Sequence, residues 1–269
     1  MEENISIEAI STYIFDLFKD DLAHELVYHN YNHTKETAEA CEEFAEQASL
    51  NAEDRADLII AAWFHDTGYS VVYKNHEEES VKIASNYLEG KISEERIEKI
   101  AALIRSTHIN ADVKTELEEY LHDADYINIG KKDFSKKSQL LRIEWENLNQ
   151  KRFSDLEWAE EQLSFLIKKR FKTNYAIAQY GDRREKNIKK YRKVIEELKN
   201  DRYKMHLKEE SVQVKMGKEG RGIETLYRSV YDYHINLSSI ADTKANIMIS
   251  INTIIVSIII TLFGSGYTF

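Results

Sequence analysis

LIIAAWFHDTGY, residues 58–69, is apolar nearly all round through Phe64 and then presents His65 and Asp66 side by side. The apolar part reads as the end of a helix buried on every face. Such a helix rarely finishes in an imidazole beside a carboxylate unless something neutralises the charge. A divalent metal does so, because neutral imidazole and ionised carboxylate are donors for zinc, iron and manganese. Further candidate donors lie on both sides: His33 before the pair, and His76, His108 and Asp125 after it. The plainer alternative is a helix end where His65 and Asp66 only cap and hydrogen-bond. Six donors punctuating four helical patterns favour the metal.

The surrounding chain keeps a helical period. A first helix is expected over residues 5–18, with a short segment at 22–27. After His33, the residues Thr37, Cys41, Phe44, Ala45 and Ala48 hold a three-four spacing. Asn51 reads as the cap of the helix that leads to His65 and Asp66, and Gly68 interrupts the pattern. Asn75 is the expected cap of the next helix, with Val81, Ala84, Tyr87 and Leu88 inward and Gly90 past its end. Ser93 is placed to cap a fourth, whose stripe of Ile97, Ile100, Ala101 and Ile104 would continue to His108. Leu117, Leu121 and Asp125 are likewise spaced by four, so this carboxylate extends an apolar stripe. Helices over residues 136–149, 154–171 and 173–200 complete the order. The second of these opens on the capping-box pattern of Ser154 and Glu157.

Composition agrees with an all-α protein. There is no proline, against an average near one residue in twenty, and there are only nine glycines. The net charge of −10 argues against a surface that coats nucleic acid, which needs clustered Lys and Arg. The single cysteine, Cys41, falls on an apolar helix face and reads as core filling in a reducing compartment. MEENISIEAI is acidic and has no hydrophobic stretch behind basic residues, so no signal peptide is expected.

The far end differs. Residues 245–269 carry no charge, and 247–263 are dominated by Ile and Val. Extended to Tyr267, this stretch reaches the roughly twenty residues of a membrane span. A buried oligomerisation helix is the alternative. Ahead of it, Ile223, Leu226, Tyr227, Val230, Tyr231, His234 and Leu237 form an amphipathic juxtamembrane stripe that would favour self-association. The expected organisation is therefore a helical domain over 1–200, a charged, glycine-containing linker over 201–222 and a membrane domain over 223–269. With nothing upstream to direct export, the helical domain should face the cytoplasm.

Phosphate oxygens and a water nucleophile need strong local positive charge. One metal ion can acidify water, and two can clamp the attacking and leaving oxygens. His33, His65, Asp66 and Asp125 supply the mixed donor set, and His76 and His108 are available for a second ion or for phosphate. The mixture argues against calcium, and the lack of a cysteine cluster argues against structural zinc.

At these residues the chain resembles the HD superfamily of metal-dependent phosphohydrolases, whose His…His-Asp…Asp signature His33, His65, Asp66 and Asp125 match in order. YHNYNHT, AAWFHDTGY, NHEEESVKIA and LHDADYINIG carry the resemblance, which covers about residues 20–200. It implies an HD-domain helical bundle that hydrolyses a phosphate ester, often in a nucleotide. It also implies two divalent ions (Mn, Fe, Mg or Zn) on His33, His65, Asp66, His76, His108 and Asp125, with Asp66 bridging. Catalysis would fall to Asp66 and to Glu77, which stands next to His76 as a general acid or base. A solvated acidic helix start is the other reading of Glu77 and Glu78. Arg105 and Arg142 could hold phosphate in a bidentate grip, or could form ordinary surface ion pairs.

TLYRSVYDYHINLSSIADTKANIMISINTIIVSIII is similar to the start of the Pycsar-type effector membrane domain of bacterial antiphage defence, over about residues 224–262. That family usually carries more spans, so an incomplete membrane domain is expected. The two resemblances together imply a phosphohydrolase tethered to the bacterial inner membrane, acting on a nucleotide signal. The rival expectation is a sensor that binds a nucleotide messenger without consuming it and rearranges membrane helices. A structural membrane scaffold is a third.

Overall fold

The computed structural model describes residues 5–215, with side chains through residue 205. Nine α-helices and two 3-10 turns make up the regular structure among these residues, with no strand. The helices are α1 (Ile7–Asp21), α2 (Tyr31–Gln47), α3 (Ala52–Phe64), α4 (His76–Leu88) and α5 (Glu94–Ser106). They continue as α6 (Glu116–Asp125), α7 (Phe134–Asn149), α8 (Asp155–Lys168) and α9 (Asn174–Lys215). The chain packs as two units, Met1–Asn200 and Asp201–Phe269, and the site described below belongs to the first.

Helix α3 is the axis of the first unit. Every residue from Asp57 to Phe64 is buried, and the helix packs against α1, α2, α5 and α6. It starts where Asn51 Oδ1 accepts the Asp54 amide at 2.9 Å, the cap expected from sequence. Each surrounding helix offers it one apolar face. α1 buries Ile10, Ile14 and Phe18, spaced by four, and α2 buries Ala38, Cys41, Phe44 and Ala45. The only charged member of the buried run in α3, Asp57, is met by Arg96 at 2.7 Å and Lys99 at 2.9 Å, both from α5. An uncompensated buried charge at this position would be strongly destabilising.

Several boundaries differ from the sequence expectation. Residues 22–27 form a turn, not a short helix, with the Leu26 amide bonded to Ala23 O at 3.0 Å. Asn75 precedes α4 but does not cap it through its side chain; it takes the left-handed conformation instead, at φ 55°. Helix α8 stops at Lys168, and α9 runs on to Lys215, through the first part of the segment expected as linker. No helix among the described residues is long and apolar enough to cross a membrane. The expected span at 247–263 and the amphipathic stripe from Ile223 lie outside the described residues.

Candidate metal centre

His65 is the C-cap of α3, and its Nδ1–H donates to Ala62 O at 2.8 Å. That bond orients the ring and turns Nε2 away from the helix. The backbone then leaves the helix at Asp66 (φ −106°, ψ 4°), which brings this carboxylate round to the same point. His65 Nε2 and Asp66 Oδ2 lie 3.2 Å apart. Both atoms are buried, and neither has a hydrogen-bond partner. Orphaned buried polar atoms cost about 1–3 kcal/mol each, so two that face each other call for a cation.

Two other helices complete the cluster. His33, in the first turn of α2, holds Nε2 3.1 Å from Asp125 Oδ1 and 3.4 Å from Asp66 Oδ2. Asp125 closes α6, and its Oδ1 is 3.7 Å from His65 Nε2. Donor atoms of His33, His65 and Asp66 lie within 4.8 Å of one another, and all three residues are buried. Burial opposes charge on each group, but the mutual attraction prevails. The His65 imidazole is raised well above its ordinary value, and the Asp66 and Asp125 carboxyls are held well below theirs. Two imidazoles and two carboxylates of this kind fit a divalent transition metal.

His76 opens α4 and approaches the other oxygen of Asp66, with Nε2 3.2 Å from Oδ1. Asp66 therefore faces His33 and His65 with one oxygen and His76 with the other. The approach depends on Gly68, because a Cβ there would stand 1.9 Å from His76 O. Ser80 of α4 locks the turn: its Oγ accepts the Gly68 amide at 2.8 Å and donates to His65 O at 2.7 Å.

The remaining sequence-predicted residues are distributed differently. Glu77 is buried beside His76, with Oε2 3.7 Å from its Nδ1, whereas Glu78 is exposed. Arg105 is paired with Glu78 at 2.9 Å. Arg142 is committed to Glu146, Asp155 and the carbonyl of Phe153. His108 makes no contact with the cluster among the described residues. The stripe it was expected to continue ends when α5 stops at Ser106, so His108 instead lines a neighbouring cavity.

Residues 30–129 match the family model of the HD domain. No curated protein and no solved structure matched the chain. HD domains bind divalent metals and are typically metal-dependent phosphohydrolases, and the match supports that general reading for this chain. The matched stretch runs from the cap of α2 to the turn after α6, and so contains His33, His65, Asp66, His76 and Asp125.

A second layer around these candidate donors escaped sequence reasoning. Tyr69 stacks on His76, with centroids 3.8 Å apart, and on His29 at 4.7 Å. The fully buried Glu144 of α7 accepts the amides of Tyr28 and His29 at 2.9 and 3.0 Å and pairs with His29 Nδ1. Burial works against a charged His29, but the Glu144 contact outweighs it, with Asp66 and Asp125 adding, and its pKa is raised. The available signals were weak. His29 stands four residues before His33, and Glu144 interrupts the apolar run LLRIEW.

Proposed function

We propose that this chain hydrolyses a phosphate ester of a nucleotide, with a divalent metal held by His33, His65, Asp66 and Asp125 and a second by Asp66 with His76. The observation that carries the reading is the pair of unpartnered buried atoms, His65 Nε2 and Asp66 Oδ2, facing each other at the meeting point of three helices. A divalent cation held there would polarise a phosphoryl oxygen and acidify water. The protein's own groups position and exchange protons. Ala62 O fixes the His65 tautomer, Ser80 holds the turn that carries Asp66, and Glu77 is placed to take or return a proton beside His76. Glu144 pairs with His29 Nδ1 and so holds that ring in place against Tyr69 and His33.

The nucleotide substrate, the inner-membrane tether through residues 223–269, self-association and a role in antiphage defence belong to the same proposal. They are supported by the charge-free C-terminal sequence and its resemblance to Pycsar-type effectors. Elemental analysis of the purified chain tests the metal, and incubation with cyclic mono- and oligonucleotides plus manganese tests turnover. The double variant His65→Ala/Asp66→Ala is expected to lose both metal and activity. Undiminished metal content in that variant would refute the site. Retention of intact nucleotide without product would instead favour the messenger-sensor reading.

A further inference from the structure

We propose that the cavity between the turn after α5 and the segment joining α8 to α9 is an anion site that takes the phosphate groups of the substrate not being cleaved. The cavity measures about 280 Å³ and is lined by His108, His122, Tyr126, Lys168, Lys169 and Lys172, among others. This is close to the lower end of small-molecule sites, roughly 300 Å³, and suits an oligophosphate better than a whole nucleotide. In a chain of net charge −10, four cations fall within the five residues from Lys168 to Lys172. None of the four forms an ion pair among the described residues, although acidic side chains claim Arg105 and Arg142 elsewhere.

A cationic run is usually just a solvated surface, but this one is built in. Asp123, fully buried on α6, accepts the amides of Lys172 at 2.9 Å and Thr173 at 2.8 Å together with the Thr173 hydroxyl. The basic segment is thereby fixed to the helix that ends in Asp125. Lys169 Nζ sits 4.4 Å over the ring of Tyr126, the residue next to Asp125. Burial, with Lys172 close by, lowers the Lys169 ammonium below its ordinary value even though Asp125 pulls the other way. A phosphate would compensate that desolvated charge. Opposite, His108 Nδ1 accepts the Asn110 amide at 3.2 Å, which leaves Nε2–H as a donor. The cavity thus gathers donors and cations around Tyr126, the residue that follows Asp125, and under this proposal a substrate whose reacting phosphoryl group lies at the candidate centre extends its remaining phosphates into it.

The identity of the anion rests on the hydrolase reading; anion binding itself does not. Calorimetry with inorganic pyrophosphate on the chelator-treated full chain tests the site. Wild-type protein should bind, and affinity should fall at least tenfold in Lys169→Gln. The same loss is expected in Lys168→Gln/Lys172→Gln, whose exposed positions spare the fold. His65→Ala should bind as the wild type does. Absence of binding by the wild type, undiminished wild-type affinity in either lysine variant, or a comparable loss in His65→Ala would overturn the proposal. Loss confined to the lysine variants, in a protein that cleaves no phosphate ester, would leave the anion site standing and remove the hydrolase reading.

Discussion

Gly68 is where a single atom has the largest consequence. The atoms that an added methyl would meet, His76 O at 1.9 Å and Ser80 N at 2.7 Å, are backbone and cannot swing aside. Gly68→Ala must push the first turn of α4 away from the turn that carries Asp66. A cost of about 1–3 kcal/mol is expected from such overpacking, along with partial loss of bound metal as His76 leaves Asp66 Oδ1. Thermal unfolding and elemental analysis of this variant check both effects, and a wild-type melting temperature with full metal content would contradict the account. In the sequence Gly68 reads only as a break in a helical pattern. Its role in seating His76 depends on α4 folding back over it, and no local spacing records that contact.

Between elements, Glu144 ties α7 to the loop that leads into α2, through two amides and the His29 ring. Because the folded-state pKa of His29 is raised above its unfolded value of about 6.5, its contribution to stability is fully present below that value. The contribution disappears as pH rises through the raised pKa. His29→Gln should therefore destabilise the metal-free protein more at pH 6 than at pH 9.5. Denaturant midpoints at the two pH values measure the difference, and an equal loss at both would show that the contact is not charged. The helices themselves were largely legible. Asn51, Ser93 and the Ser154–Glu157 capping box start α3, α5 and α8 as their sequences require. Where helices end was less legible: α5 closes at Ser106 and so removes His108 from the stripe of Ile100 and Ile104.

For the first unit as a whole, an ion held at this centre would also be a staple, because α2, the end of α3 and the end of α6 each bring an acid or an imidazole to it. A ligand bound only by the native state at a hundredfold excess over its Kd adds about 2.7 kcal/mol. Chelation should accordingly lower Tm by several degrees, and His65→Ala/Asp66→Ala should abolish the dependence; a Tm indifferent to chelator would count against a bound ion. The sequence by itself determined the all-helical class and the burial of α3, because three-four periodicity tells which face of its own helix a side chain occupies, and it offered His33, His65, Asp66 and Asp125 as candidate donors. Only tertiary structure decided which donors converge, that His76 joins Asp66 while His108 turns to a basic cavity, and that Arg105 and Arg142 are already paired. Those outcomes depend on where helices stop and cross, and that is set by contacts between residues far apart in the chain.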